Sequence, residues 1–409
     1  MTAENFSLLD AFLIAFSVAI AFIMLRRSVR DAPFWRATVT PLASIIGSGF
    51  LVVVPLLAGV TGPLSVFAII GIVLLSLWIG GAVRFTILHN EPVGSSAKTT
   101  APMLERLSDI SLAFAYVISI TFYIRLMCGF VLTGVDVYSP FNADVLATGV
   151  LLFIGLYGWR RGLHGLERLE EYSVTIKLAI IASLLAGLIY NDGSHGYDLS
   201  ELPLPATSVW EALRQLAGML LIVQGFETSK YLASTYKAAL RSRSMLFAQV
   251  LAGVIYVVFV ALSMPLMGQF AGGSPNETAI IDLSRDITLV LPLMLVVAAA
   301  MSQFSAAIAD TIGAGGVAEE ESRGRLPARV SYLLIAIFAV ALIWNSNIFE
   351  VVALASRAFA FYYMLQAISA AVLAAKVATG RRRQFLMMSY GAQALVLCLI
   401  VLFAMPVEG

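Results

Sequence analysis

Charge is the scarcest commodity in this chain. Asp, Glu, Lys and Arg make up 12% of its 409 residues, about half of the roughly 25% that a soluble domain carries. A surface so poor in charge does not stay dispersed in water, so most of it must face lipid. The charges present nearly cancel, to +1, which excludes nucleic acid and any strongly charged partner. Cysteine is nearly absent. Cys128 and Cys398 both sit in apolar runs, too few for a disulfide framework. The three histidines, His89, His164 and His195, lie far apart, so no metal site and no cofactor is expected. No Walker-type G-x-x-x-x-G-K-[S/T] occurs, which argues against direct use of ATP. No stretch is long enough for a separate soluble domain. The longest outer loop, roughly 191–210, holds Pro203 and Pro205 and is too short to fold alone. No basic residues precede the first apolar run either: Met1 to Asp10 is acidic, and Arg26, Arg27 and Arg30 follow. That order predicts a retained helix with its N-terminus outside rather than a cleaved signal.

What the chain has instead is apolar residues, 60% of the total, with a mean hydropathy of +0.90. A helix needs about 20 of them to cross a hydrocarbon core about 30 Å thick. That criterion places spans near 8–25, 40–60, 64–88, 107–134, 144–160, 172–190, 212–234, 245–270, 287–312, 329–345, 348–375 and 386–405. The expected fold class is an all-α polytopic membrane protein of about 12 transmembrane helices. Starting outside, the segments assigned to the cytosol are 26–39, 84–106, 160–177, 230–243, 323–329 and 376–383. They hold 22 of the chain's 26 Lys and Arg residues, the bias of the positive-inside rule. One missed or invented span would invert every later loop and destroy that bias. The four remaining positives are Arg125, Arg214, Arg285 and Arg357. The expectation is an integral protein of a bacterial inner (plasma) membrane with both termini outside.

Two spans carry helix-breaking sequence near mid-membrane. The first reads Pro41-Leu-Ala-Ser-Ile-Ile-Gly47-Ser48-Gly49-Phe50, the second Ile222-Val-Gln224-Gly225-Phe226-Glu227-Thr228-Ser229. Gly weakens a helix by roughly 1 kcal/mol relative to Ala, and an unwound turn in lipid leaves backbone groups unpaired at several kcal/mol each. Such turns survive where they line a cavity that a ligand or ion completes. The second break lies five spans after the first, with four spans between them, so the broken helices run in opposite directions. Paired interruptions in inverted halves point to a transporter binding site. Taken singly, Gly47 and Gly49 are also explained by close helix packing.

These segments resemble the amino acid–polyamine–organocation superfamily, with its leucine-transporter-type fold. Ile45-Ile46-Gly47-Ser48-Gly49-Phe50 resembles the family's I-G-S-G-I/F stretch. Gly162 to Lys177 resembles its G-V-containing loop and T-x-I-K helix start. Gly225-Phe226-Glu227 matches G-F-E, and Arg323-Gly324-Arg325-Leu326-Pro327 resembles D-G-x-L-P. The resemblance covers roughly 36 to 377. It implies a five-plus-five inverted repeat with broken helices one and six, plus one extra helix at each end. The whole is then a single transmembrane domain, 1–409, with an extra N-terminal helix over 1–30, repeats over 36–190 and 208–377, and a C-terminal helix over 385–405. The chain departs from the family pattern after Glu227, where Ser234-Thr-Tyr-Lys-Ala-Ala-Leu-Arg241 replaces the usual E-E-x-K-N-P-x-R.

The first break would expose N–H groups near Ser48, Gly49 and Phe50 at the start of an outer half-helix, a positive dipole end that suits a carboxylate. Carbonyls near Val223 and Gln224 would suit a cationic amine. Candidate substrate-binding residues are therefore Ile46, Gly47, Ser48, Gly49, Phe50, Gln224, Gly225 and Phe226, the last either an occluding or a packing side chain. Glu227 is ionisable at the middle of a span, a functional candidate by default: it either carries a proton or is fixed to N–H groups at the break. Lys177 lies in the cytosolic half of span five. In some sodium-independent relatives a lysine at the corresponding place occupies the site where others bind sodium, so the resemblance implies sodium independence. The other reading of Lys177 is a side chain snorkelling to the interface. Ser302 and Ser305 share a face of span eight and would place two hydroxyls for sodium, or bond to their own helix. Arg125 and Arg357 sit some way into their helices, where an uncompensated Arg costs at least about 2.5–3.5 kcal/mol. They either flank an outer vestibule or pair with Glu350 or Asp136 as a structural gate. Asp310 is read as a solvated or paired residue near the inner end of span eight, and Tyr116 and Tyr123 as a packed stripe on span three.

The function expected from these residues is secondary active transport of a small organic solute, an amino acid or related amine, by alternating access. Coupling would be sodium-independent, to protons or by exchange. The partners are then that solute and the bilayer. A membrane sensor that binds a ligand on the same fold without moving it is the alternative, and no nucleophile–base arrangement supports an enzyme.

Overall fold

A computed structural model describes residues 6–47, 49–90, 102–135, 137–200, 202, 208–233, 235–270, 284, 287–345 and 348–405. All regular structure among them is helical. Ser7 opens α1 (Leu8–Met24) with a reciprocal cap: its Oγ accepts from the Asp10 N–H, and Asp10 accepts from the Ser7 N–H. The short α2 (Arg27–Arg30) leads to α3 (Pro33–Ile45) and α4 (Gly49–Thr61), the two halves of the first broken helix. Then follow α5 (Ser65–Asn90), α6 (Pro102–Gly134) and α7 (Pro140–His195). The 56 residues of α7 would extend about 84 Å if straight, more than twice the apolar core of a bilayer. The run in fact kinks sharply at Gly162, where φ is 67° and ψ −163°, and so makes two crossings, as the two spans predicted there require.

The second broken helix comprises α8 (Val209–Gly218), a 3₁₀ extension over Met219–Val223, a reversal at Gln224–Gly225, and a 3₁₀ segment over Phe226–Leu232. Then come α9 (Ala238–Ser263), α10 (Leu291–Glu321), α11 (Ala328–Asn345), α12 (Ile348–Val377) and α13 (Gly380–Phe403). Each predicted span is met by a helix, though several begin earlier than expected, α3 at Pro33 rather than 40 and α9 at Ala238 rather than 245. Span eight, expected to end near 312, continues to Glu321. Its Gly313, Gly315 and Gly316 do not end the helix. They let Tyr116, Tyr332 and the Tyr231 backbone pack directly on it.

The core is one apolar cluster in which α3, α6, the second half of α7 and α10 surround both breaks. The end helices are fastened at their polar points. Asp10 accepts from the Val290 N–H at the start of α10, and Ser183 of α7 donates to the Leu13 carbonyl. At the other end of the chain, Arg214 of α8 donates to the Phe403 carbonyl.

The two breaks touch. Gly225 has a φ of +106°, a conformation that only glycine adopts without strain. A Cβ there would lie 2.1 Å from Ser44 Oγ, so the reversal is closed against α3 by the missing side chain. The buried guanidinium of Arg241 then caps the far end of the 3₁₀ segment, donating to the carbonyls of Ser229, Lys230 and Tyr236 at 3.2, 2.6 and 2.9 Å. A cation is the group that carbonyls at a helix C-terminus favour.

Candidate functional site

At the unwound turn at Ile46, with φ −87° and ψ 63°, the carbonyls of Ala43, Ile45, Ile46 and Gly47 accept from side chains of neighbouring helices. Lys177 of α7 is wholly buried, which rules out snorkelling. Its Nζ donates to Ala43 O at 2.9 Å, Ile46 O at 2.6 Å and Ser305 Oγ at 2.8 Å. An ammonium has three donors and no acceptor, so all three are satisfied. Ser302 Oγ lies 2.7 Å from Ile46 O and 2.9 Å from Gly47 O. Ser305 donates to the Ser302 carbonyl at 3.0 Å, which turns its lone pairs toward the ammonium. The two sequence readings of these serines thus merge: they bond within α10 and also build the nest that Lys177 fills.

The carbonyls of the second break are engaged in the same way. Tyr256 of α9 sets its hydroxyl between Ile45 O, at 3.1 Å, and Ile222 O, at 3.0 Å, bridging the two broken helices. Ser76 of α5 donates to Val223 O at 3.0 Å and is itself braced by Gln249. The Val223 carbonyl, expected to face an amine, therefore spends a lone pair on the protein.

Negative charge gathers beside these carbonyls. Glu227 is fully buried, and its Oε2 accepts from the Gly225 N–H at 3.0 Å and from the Tyr363 hydroxyl. The buried Tyr116 hydroxyl also reaches this carboxyl. Asp310 is equally buried, which corrects its sequence-based placement near the aqueous end of its helix. It accepts from Ser44 Oγ at 2.9 Å and from Ser119 Oγ. A carboxylate in so dry a place is held by hydroxyls from both α3 and α6. Aromatic rings wall the space: Phe226 stacks on Tyr363 at 5.0 Å, Phe50 on Phe259 at 4.5 Å, and Tyr123 lies against Gly47 and the Gln224 side chain. Tyr116 and Tyr123 are therefore part of the site's wall as well as a packed stripe.

Of the sequence candidates, Ile46, Gly47, Gly49, Phe50, Gln224, Gly225, Phe226, Glu227, Lys177, Ser302 and Ser305 are brought together at the crossing. Ser48 lies outside the described residues. Arg125 is elsewhere, in an ion pair of 2.9 Å with Asp144 across α6 and α7. Asp144 therefore takes the place that the sequence reading gave to Asp136 or Glu350, which lie outside the residues whose side chains are described. Arg357 is exposed. The sequence reading missed Asp310, Tyr363, Tyr256, Ser44 and Ser119 as site residues. Only Asp310 carries a signal in the sequence, a lone acid within Ala307-Ile-Ala-Asp310.

Nearer the end that bears the basic segments, both broken helices are tied to acids. Glu167 accepts from Arg36 of α3 at 2.9 Å and from Tyr236, just beyond the 3₁₀ segment, at 3.2 Å. Lys230 and Tyr231 both reach Asp109 of α6, at 3.1 and 2.7 Å.

Two broken helices thus cross at a polar centre, and sequence comparison decides the family. A profile of APC superfamily transporters matches residues 27–404. The chain belongs to the APC superfamily. An uncharacterized protein of Aquifex aeolicus (strain VF5) is 45% identical over 380 residues, 91% of each chain. Among solved structures, an Eremococcus coleocola manganese transporter superposes with a TM-score of 0.60 at 12% identity, over 98% of this chain and 88% of that one. A Na+-coupled sialic acid symporter gives 0.57 at 12% identity, over 98% of both chains. At that identity the superpositions establish the shared fold. This APC superfamily member is thus a polytopic transporter, with the breaks of helices one and six at its centre.

Proposed function

We propose that this protein is a sodium-independent secondary transporter of an amino acid or related amine, working by alternating access and coupled to protons or to exchange. The observation that carries the reading is the Lys177 nest. Two backbone carbonyls and a serine hydroxyl surround a fixed ammonium where a mobile monovalent cation would otherwise find oxygen ligands. A charge supplied by the protein does not need to be supplied by sodium.

The substrate reading rests on the groups beside that nest. The start of α4 at Gly49 and Phe50 turns a positive helix end toward the crossing, which suits a carboxylate. Glu227, a buried carboxyl held by Tyr363 and Tyr116 beside the break, is the acceptor an ammonium group would meet. A carboxylate inside the membrane is also a group able to carry a proton. The excess of Lys and Arg on alternate segments supports termini that lie outside a bacterial plasma membrane.

Purified protein is first screened by thermal shift against amino acids, amines and small carboxylates. Radiolabelled hits are then followed into proteoliposomes with and without sodium and pH gradients. Uptake driven by a pH gradient, or counterflow without any gradient, is the expected result. Uptake that requires sodium overturns the coupling assignment, and saturable binding with no uptake under any gradient identifies a sensor.

A further inference from the structure

The face of α3 that leads away from the central crossing is polar at each turn, and a charged partner meets every rung. Arg36 donates to Glu167 at 2.9 Å, Thr40 Oγ1 to Glu170 Oε2 at 2.8 Å, and Ser44 Oγ to Asp310 at 2.9 Å. Between the last two, the Ala43 carbonyl accepts from Lys177. On α7 the opposing residues are Glu167, Glu170 and Lys177, spaced by three and seven and therefore on one helical face. The ladder starts at a cleft of about 520 Å³ in the basic end of the molecule, which Arg36, His164, Glu167 and Glu170 help to line.

Glu170 is the rung without an evident structural duty. It is wholly buried yet borders the cleft. Thr40 holds its Oε2, while its Oε1 has no hydrogen-bond partner. Inward, the charges that reach it are Lys177 on its own helix and Asp310 on α10. Toward the cleft its charged and titratable neighbours are Glu167, His164, Arg168, Glu171 and Tyr172 on α7, and Arg36 on α3. Arg30 and Asp31 face it from α2, and Tyr236 from beyond the 3₁₀ segment. Arg36 is already paired with Glu167, and Arg30 with Asp31. An acid required only to anchor Thr40 needs one oxygen, and burying the second one unpaired carries a cost.

We propose that Glu170 is a proton-exchange site on the route between the cleft and the buried Asp310 carboxyl: Oε1 takes a proton from water entering by the cleft and releases it inward to the Asp310 carboxylate, while Thr40 keeps the Glu170 carboxyl in place. The inference rests on the proton-coupled form of the function proposed above and adds the residue through which coupling would run.

The test uses full-length protein in proteoliposomes holding a pH-sensitive dye, with a labelled mixture of the proteinogenic amino acids and linear diamines as probe. Exchange is read at equal pH on both sides, and net uptake under a pH gradient. Glu170→Gln is expected to keep exchange within about twofold of wild type while losing net uptake and the dye signal by about tenfold or more, as for removal of a proton-relay acid. Glu171→Gln, the neighbouring cleft acid, is expected to keep both. Retention of gradient-driven uptake and dye signal in Glu170→Gln overturns the inference alone. Wild-type exchange without any proton movement overturns the proton-coupled reading and the inference with it. If the variant does not fold or the mixture is not transported, wild-type protein treated with dicyclohexylcarbodiimide, which attacks protonated carboxyls in apolar surroundings, decides. An adduct on Glu170 that grows as pH falls supports the exchange site, and its absence across the pH range overturns it.

Discussion

Lys177 shows how a charge can be buried without a counter-charge in contact. Each of its three donors has a neutral oxygen, so the side chain behaves as a bound cation on a tether. Lys177→Ala withdraws the donor from the Ala43 carbonyl entirely, and leaves Ile46 O to Ser302. We expect a loss of about 1–3 kcal/mol for the orphaned carbonyl, read as a lowered unfolding temperature in lipid. We also expect sodium, which should not affect the wild type, to raise that temperature in Lys177→Ala by filling the vacated oxygens. A variant indifferent to sodium would show that the nest is shaped only for the ammonium.

The second residue-scale expectation concerns Glu227. Its Oε2 leans on one backbone N–H and the Tyr363 hydroxyl. Tyr363→Phe removes a hydrogen bond worth about 0.5–1.5 kcal/mol, so solute affinity or stability should fall by roughly two- to tenfold in the corresponding constant. Glu227→Gln removes the proton-binding group itself and should flatten the pH dependence of uptake. Binding and uptake measured across pH separate the two: a Glu227→Gln protein with the wild-type pH profile removes Glu227 from the coupling machinery.

At the scale of elements, the breaks were legible in the sequence and their partners were not. Gly47, Gly49 and Gly225 announce interruptions because they stand mid-span among polar residues, Ser44 and Ser48 in one case and Gln224 and Glu227 in the other. The residues that satisfy the freed carbonyls, Lys177, Ser302, Tyr256 and Ser76, come from four different helices, each more than a hundred residues in sequence from a carbonyl it meets. Only the fold assembles them. Asp310 was misplaced because three glycines imitate a helix end, whereas in α10 they seat a tyrosine ring or the backbone of another helix. Gly225 gives the sharpest test of how the elements meet. Gly225→Ala must accept both a left-handed φ, costing about 1–3 kcal/mol, and a Cβ 2.1 Å from Ser44 Oγ. Expression and unfolding temperature should drop severely, and Ser44→Gly should recover only the steric part. Arg125 supplies a contrasting case. Its pairing with Asp144 joins α6 to α7, so Arg125→Ala and Asp144→Ala should lower stability to similar extents and couple in a double-mutant cycle, with solute affinity unchanged. A selective loss of affinity in Arg125→Ala would instead restore the vestibule role.

For the whole molecule, the strongest regularity is the alternation of charge along the chain. Six segments hold 22 of the 26 basic residues, and several of them meet in the finished structure: Arg36, His164, Glu167 and Tyr236 share one network, and Lys230 joins Asp109 nearby in sequence to the Arg106–Glu321 pair. The basic segments are thus also the places where both broken helices are held. If positive charge sets the topology, a reporter fused after Met405 should read as extracytoplasmic: alkaline phosphatase active there, and green fluorescent protein dark. The same reporters inserted between Arg323 and Ala328, at the other end of the bundle, should give the opposite pattern. Adding lysines after Met405 should weaken the first signal before it disturbs the second, because the bias is counted close to each span. A C-terminal reporter that reads as cytosolic would turn the cleft beside Glu170 to the outside, and with it the side of the membrane from which protons would enter.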